Sequence, residues 1–445
     1  VPEAGIGFKR EAFDALMAGD GFDAGSLHRF RERALAEFEA IPMPSPETEE
    51  WRHTDLREFD LDSYEAYREE HPADTLDDVK PDLLEAVGDV GDRAGLSIQH
   101  NSTVVISHLD PEAAAKGVTF ASLDDIAHTR PNLLANRLHA AVPSDRSRFT
   151  ALHAAFRTGG TFVHVPAGVK VDLPLQSLTY VDHDGLAVFP HSVIALEEGA
   201  ELTFIDRYVS PDLGRALSDA VVEIYAGPNS RLRYVVLQEW GQGVTHLSVQ
   251  RAHLDRDAEV RTLAVAFGAS LGRAEAESLL TGDGSTSEML GVYFGTGEQH
   301  FDHRSIQDHV GSQTSSDLLY KGVMRDRSDA VYSGTVVIRQ GAHKCNAYQT
   351  NRNILLSETA KAHSIPNLEI LSNDPVKCGH AASVGPVDED VLFYLQSRGI
   401  PFEEAERLVV FGFFQEVLDR VTLPEVKGSL ERAIAAELER EPEEA

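Results

Sequence analysis

Hydrophobic and polar positions follow three textures along the chain. The first is helical. Over residues 11–17 and 26–41, apolar residues recur at three- and four-residue spacing among charges, the period of one helix face. Ser26 is the expected N-cap of the second stretch, which stops before Pro42 and Pro44. A loop leads to Glu50-Trp51-Arg52-His53-Thr54-Asp55-Leu56, one large aromatic among polar residues. Residues 60–95 are acidic, with a weak helical pattern over 81–90. Residues 97–165 are mixed. The pattern predicts a strand at 102–107, helices at 124–128 and 133–141, and a short apolar segment at 152–156 before Gly159-Gly160.

After Gly160 the texture becomes short β-rich runs separated by turns. Runs at 161–165, 192–196, 201–205, 221–225, 232–237, 260–265 and up to Phe294 read as strands. The turn centres Gly168, Gly199, Pro228, Asp257 and Asp283 are 31, 29, 29 and 26 residues apart. Such a period marks a repeat whose units are too short to bury a core alone and must stack. A parallel β-helix meets that requirement. A sandwich is the alternative, but its turns come every 8–12 residues without a longer repeat.

The repeat ends near Ser383 and helices return. Residues 388–398 read as a helix capped by Asp388 and closed by Gly399. A second helix spans 401–421, with Glu403, Glu404 and Glu406 at its positive end. Its apolar residues, among them Val409, Phe411, Phe414 and Leu418, exceed one narrow stripe and call for burial on two sides, by the domain or by a partner. Pro424 opens a third helix through Leu438, and the acidic tail after it is expected to be loose. The expected fold is mainly β. A helical domain (1–95) and a mixed α/β connecting region (96–160) precede a parallel β-helix core (161–385), and a C-terminal helical domain (386–445) follows.

Composition narrows the function. The 40 basic and 72 acidic residues give a net charge of −32, which opposes binding to nucleic acid or anionic membrane. The excess fits a high-salt cytoplasm, or a partner with a basic face. No apolar run is long enough for a membrane span, and no basic-then-apolar leader is visible. The two cysteines, Cys345 and Cys378, exclude a disulfide framework, and a cytoplasmic location is expected. Two thiols also cannot fill a four-thiolate site.

Of the candidate chemistry, no Walker-type phosphate loop and no Gly-x-Ser-x-Gly elbow is present, and Gly282-Asp283-Gly284 reads as a turn. His300, His303 and His309 lie close in sequence. Residues three apart on a strand face opposite sides, so polar residues within a β-helix turn is the better reading than a metal site. In Val376-Lys377-Cys378-Gly379-His380, Cys378 and His380 are two apart and share one side of an extended segment. Thiolate and imidazole suit iron or zinc. Lys377 is expected to favour the thiolate, and Gly379 to leave the approach open. The alternative is an inert buried cysteine beside a hydrogen-bonded histidine. One such pair is not a full ligand set, so a metal here needs further ligands, from this chain or another.

Four ordered blocks carry a family resemblance. They are Tyr348-Gln349-Thr350-Asn351-Arg352-Asn353-Ile354-Leu355-Leu356-Ser357, Pro366-Asn367-Leu368-Glu369-Ile370, Val376-Lys377-Cys378-Gly379-His380-Ala381-Ala382-Ser383-Val384-Gly385, and residues 392–400. Weaker matches are Gln299-His300-Phe301-Asp302, Tyr332-Ser333-Gly334 and residues 50–56. Together they resemble the SufB/SufD family of iron–sulfur cluster assembly proteins, on the SufD side. The 50–56 block and the Thr-Asn-Arg-Asn-Ile-Leu-Leu stretch are SufD-like, whereas SufB carries a cysteine in that stretch. Departures are Pro375, expected to remove a ladder donor, and Ala382-Ser383.

The resemblance implies a right-handed parallel β-helix flanked by helical domains, and a non-catalytic scaffold subunit. It implies pairing with a SufB-like paralogue through the end of the β-helix, and with a SufC-like ATPase through the C-terminal helices. His380, with Cys378 beside it, becomes the candidate interface ligand for iron or a transient iron–sulfur cluster shared with SufB. Reduced flavin in the complex and a homodimer of the isolated chain are left open. The competing readings are a SufB-like main scaffold and a carbohydrate-active β-helix enzyme.

Overall fold

A computed structural model describes residues 7–18, 26–57, 59–88 and 91–439. The expected loose tail from residue 440 and the Ser26 side chain expected as an N-cap lie outside the described residues. The N-terminal helices are α1 (Arg10–Met17), α2 (Ser26–Ala40) and α3 (Pro81–Val87), followed by α4 (Pro111–Ala115), α5 (Leu123–Thr129) and α6 (Arg148–Phe156). Phe13 and Leu16 of α1 and Leu35 and Phe38 of α2 pack on α6 residues Phe149, Leu152 and Phe156. Every residue of α6 from Phe149 to Phe156 is buried, so it is the centre of this cluster rather than a surface element.

Twenty strands follow or interleave. The first seven are β1 (Gly95–His100), β2 (Thr103–Leu109), β3 (Thr119–Ser122), β4 (Thr161–Val165), β5 (Leu175–Tyr180), β6 (Ala187–Val188) and β7 (His191–Leu196). Then come β8 (Glu201–Val209), β9 (Ala216–Ala226), β10 (Arg231–Glu239), β11 (Val244–Leu254), β12 (Glu259–Ala266), β13 (Leu271–Leu280) and β14 (Thr286–Gly295). The last six are β15 (His300–His309), β16 (Ser315–Met324), β17 (Asp329–Ile338), β18 (Asn346–Leu355), β19 (Lys361–Ile370) and β20 (Lys377–Pro386).

They form two ten-stranded sheets that face one another, β2-β1-β5-β8-β10-β12-β14-β16-β18-β20 and β19-β17-β15-β13-β11-β9-β7-β4-β3, the second completed by β6, which pairs β9 off that path. Each coil contributes one strand to each sheet, giving a parallel β-solenoid of about eight turns over 161–386, flanked by helices at both ends of the chain. Glu201 pairs Arg231 and Arg231 pairs Glu259, offsets of 30 and 28 residues. The period read from the turns is therefore the register of the ladders.

The turns stack as well. The Gly168 amide donates to Glu198 O, Gly199 to Pro228 O, Asn229 to Arg256 O, Asp257 to Asp283 O and Gly284 to Ser312 O, all at 2.8–2.9 Å. The same turn position has positive φ in each coil: Gly168 (70°), Gly199 (69°), Asn229 (56°), Asp257 (56°), Gly284 (75°), Gln313 (57°) and Lys344 (54°). Glycine, Asn and Asp tolerate that conformation best, which is why those residues punctuate the repeat.

The core changes character along the axis. Early coils are lined by Val163, Ile194, Val222, Ile224, Ala252 and Val260. Late coils turn His303, Ser305, Gln307, Tyr332, Gln349, Asn351 and Asn353 inward, all buried. Outside the first sheet, an alternating charge row runs Lys170–Glu201–Arg231–Glu259–Arg261–Glu288 at 2.5–3.6 Å.

One expected helix is absent. Residues 133–141 are not a helix: a single 3-10 turn (Pro131–Leu133) leads into turns. His139 has φ +55°, and the amides of His139, Ala141 and Val142 donate to the Glu223 carboxylate instead of to carbonyls one helical turn back. Tertiary hydrogen bonds override the local pattern.

The C-terminal helices are α7 (Glu389–Ser397), α8 (Phe402–Leu418) and α9 (Pro424–Glu439). Asp388 caps α7 by accepting from the amides of Asp390 and Val391. The two-sided burial expected of α8 is met within the chain. Val410, Phe414, Val417 and Leu418 pack between the sheet residues Leu263, Leu290 and Leu319 and the α9 residues Val426, Leu430 and Ile434. Lys321, buried on β16, donates to Phe413 O at 2.7 Å and pairs with Glu416 at 2.6 Å.

Candidate metal centre at the open end of the solenoid

β20 lies parallel on β18 with Ala347 beside Cys378, Gln349 beside His380 and Asn351 beside Ala382. Register partners in a parallel ladder share a face. Ala347, Gln349 and Asn351 are buried lumen residues, so Cys378 and His380 continue the inward row, on one side as the spacing requires. β20 ends its sheet, as β19 ends the other. Among the described residues no further coil covers them, which leaves His380 exposed and Cys378 half-buried.

The two cysteines differ. Cys345 is fully buried with Val336, Ile338 and Ala347; its Sγ is 3.2 Å from Thr314 Oγ1 and its thiol also donates to Gly311 O at 3.6 Å. That is an inert, satisfied thiol. Cys378 packs against the same cluster but reaches solvent. Burial, followed by the nearby Cys345, pushes the Cys378 thiol above its ordinary value. Lys377 does not favour the thiolate as expected: its Nζ sits over the Tyr348 ring at 4.6 Å. Gly379 does not clear a path to the ligands either. It faces the other side of the strand, where an added Cβ would come 2.9 Å from Tyr348 Cε2. Pro375 lies in the turn before β20, so it removes no donor within the strand.

The layer below is rigid. Gln349 donates to Asn367 O at 3.0 Å and to Gly334 O at 3.4 Å, and accepts from the Tyr332 hydroxyl at 3.2 Å. Asn351 donates to the Tyr293 hydroxyl at 3.0 Å, and Asn353 to Asn351 Oδ1 at 2.8 Å. Buried amides are costly unless satisfied, and here they brace β18, the strand on which β20 lies. The same end exposes apolar side chains, Ile365, Ile370, Leu371, Val376 and Val384, with Val376 at 71%. On the C-terminal helices, Val391, Phe393, Tyr394, Phe402 and Leu408 are exposed, and α7 buries no residue.

The three histidines of β15 do not converge. His303 faces the lumen among Tyr293, Phe301 and Tyr320, and burial pushes it down to about 4. His309 is bonded through both nitrogens, to Thr314 at 2.7 Å and Ser316 at 2.8 Å. His300 points outward to Thr54 at 3.0 Å and Asp329 at 3.5 Å. Among the described residues, the one convergent set of ligand atoms is Glu70, His100 and Asp182. There Asp182 takes one imidazole nitrogen at 2.9 Å, Glu70 faces the other at 3.4 Å, and Asn101 donates to both carboxylates. Its groups are spent on each other, tying the N-terminal segment to β1.

A strap formed by the 50–56 block escaped the sequence reading. Thr54 donates to Asp302 at 2.8 Å, Arg273 donates to Glu50 O at 2.9 Å and lies under Trp51 at 3.9 Å, and Arg273 also bonds Asp302. His53 stacks on His363 of β19 at 4.8 Å. The strap thus crosses from β13 to the last coil. Both partners had stood out as separate blocks, but nothing in the spacing joined them.

Comparison with known proteins agrees with this architecture. Residues 179–413 match the family description "SUF system FeS cluster assembly, SufBD core domain", and residues 21–177 match "SufBD protein N-terminal region". The chain is 31% identical over 410 residues to the iron–sulfur cluster assembly protein SufD of Bacillus subtilis, covering 91% of this chain and 92% of that one. It is 28% identical over 420 residues to a SufBD family protein of Staphylococcus epidermidis, covering 92% and 89%. It is 34% identical over 305 residues to a SufBD family protein of Mycobacterium tuberculosis, covering 67% and 75%.

Proposed function

The chain belongs to the SufB/SufD family of iron–sulfur cluster assembly proteins, and on that premise we propose that it is the SufD-type scaffold subunit of a complex with a SufB-like paralogue and a SufC-like ATPase. The observation that carries the reading is the placement of His380 and Cys378 on the inward row of the last strand of a solenoid, with no coil beyond among the described residues. Two donors cannot complete the shell of iron. A second solenoid meeting this end supplies the rest and covers the unpaired edges of β19 and β20 together with the apolar rim at Ile370, Leu371 and Val376. Iron or a nascent cluster is cargo at this junction. The chain's own residues hold, orient and shield it, and turn nothing over.

The exposed apolar face of α7 suits the ATPase, because it is undocked while α8 and α9 anchor it to the first sheet. Expressing a tagged copy with its paralogue and the ATPase tests the assembly. Recovery of all three subunits is expected, and loss of the paralogue alone when Val376 and Leu371 become Asp. Paralogue binding that survives those changes contradicts docking at the open end.

A further inference from the structure

Between α6, the connector 137–142 and the outer face of the second sheet lies a buried row of ionisable groups unrelated to the open end. His153 of α6 has Nδ1 2.8 Å from Asp219 O and Nε2 3.1 Å from His191 Nδ1. His191 Nε2 is 3.0 Å from Glu223 Oε2. His153, His191 and Glu223 are 0% exposed. The Glu223 carboxyl also receives the amides of His139 (2.6 Å), Ala141 (2.7 Å) and Val142 (3.0 Å) and the Tyr225 hydroxyl (3.2 Å). The group that fastens the connector is thus the end of an imidazole wire.

Proton positions follow by elimination. A carbonyl only accepts, so His153 Nδ1 carries a proton. Burial holds both imidazoles far below their usual value, hence neutral. His153 Nε2 is then a lone pair, and His191 Nδ1 donates to it. That leaves a lone pair on His191 Nε2 facing Glu223 Oε2 at 3.0 Å. Two lone pairs cannot face each other in a dry site, so with both imidazoles neutral the bond forms only while Glu223 carries the proton and donates it.

We propose that this wire is a proton-linked latch: the connector 137–142 stays docked while Glu223 holds a proton for His191, and is released when that proton leaves. Phe30 of α2 stacks on His139 at 4.9 Å, so release also loosens the N-terminal helix.

The surroundings leave Glu223 as the group that titrates near neutrality. On β9, burial raises Asp219 well above its ordinary value and raises Tyr225 too, which favours the protonated form of both. Burial lowers His139 on the connector and His253 on β11, so both are neutral. The nearby guanidinium groups each have a partner other than Glu223. Arg157 binds Asp124 of α5, Arg137 binds Glu197, Arg251 of β11 binds Glu277 and Ala141 O, and Arg31 of α2 binds backbone carbonyls. Glu223 itself is pushed up by desolvation to about 7 from 4.5. A raised carboxyl stabilises the closed state fully below its open-state value and loses that contribution as pH rises through the closed-state value. With those two values, the closed-to-open equilibrium shifts toward open by about tenfold between about pH 6 and 8.

Hydrogen exchange of the full chain at these two pH values, corrected for intrinsic base catalysis, tests this. Peptides covering 137–142 are expected to lose protection about tenfold in the wild type, and to show no pH-dependent loss in Glu223→Gln, which has no carboxyl to titrate; an amide that donates to His191 cannot accept from the His139 N–H, so this variant starts less protected at both pH values. If wild type and Glu223→Gln share one pH response, the latch is overturned. Infrared difference spectra of the unmutated chain give an independent reading. A protonated-carboxyl band that disappears between the two pH values supports the latch, and its persistence refutes it. The same band should survive Asp219→Asn.

Discussion

Replacing Asp302 with Asn isolates the strap that carries Trp51 and His53. The Asp302 carboxylate is 0% exposed and receives Thr54 at 2.8 Å, Arg273, and Arg304 at 3.2 Å. Asparagine fills the same space and keeps one acceptor, but removes the charge opposite Arg273, whose side chain is 3% exposed. Breaking a buried ion pair costs about 3–5 kcal/mol. Arg273 retains Glu275 at 2.8 Å and Glu50 O at 2.9 Å, so the net loss is expected below that range, about 2 kcal/mol. That is about a thirtyfold rise in strap opening.

Two readouts follow. The chain has two tryptophans, and Trp240 is 3% exposed in a separate cluster with Tyr208 and His246, so a change in emission reports Trp51 leaving the Arg273 guanidinium. Exchange of the Thr54 amide, bonded to Trp51 O at 3.1 Å, should accelerate by the same factor. Unchanged emission together with Thr54 exchange within about threefold of wild type would refute the claim that this carboxylate holds the strap.

Lys321→Met removes the buried ammonium that joins α8 to β16; with Glu416 half exposed and free to resolvate, the expected cost is about 2 kcal/mol, read as early proteolysis near residues 399–424 while the solenoid stays intact. In the native chain one thiol, Cys378, should react with an alkylating agent, slowly near neutral pH because burial raises its pKa, and a second, Cys345, only after unfolding; two reactive thiols in the folded chain would contradict the assignment. Because a net charge of −32 repels itself, the melting temperature should climb as salt is raised from dilute to molar, and full stability in dilute buffer would count against a high-salt origin of the acidity.

The solenoid was legible because its period is written in residues with a steric reason to be there. Gly168, Gly199, Asn229 and Asp257 occupy one left-handed turn position coil after coil. The C-terminal helices were legible through Asp388, Gly399 and Pro424, which cap, end and start them. Residues 133–141 misled because their helical spacing says nothing of Glu223, which takes their amides from 84 residues away. At the site, two-residue spacing placed Cys378 and His380 on one side, and the strand keeps it so. The roles given to Lys377 and Gly379 did not survive, since both answer to Tyr348 across the ladder rather than to their sequence neighbours. The polar floor under His380 was equally hidden. Asn351 and Asn353 look like surface residues until the register turns them inward to Tyr293.

The most direct test of the cluster-site reading is the iron bound by the assembled complex when His380 is changed to Ala. His380 is exposed on the terminal strand and makes no contact on which the fold depends, so the subunits should still co-purify while iron retained after anaerobic reconstitution falls well below the wild-type level. Full iron retention in an intact complex carrying His380→Ala would contradict it.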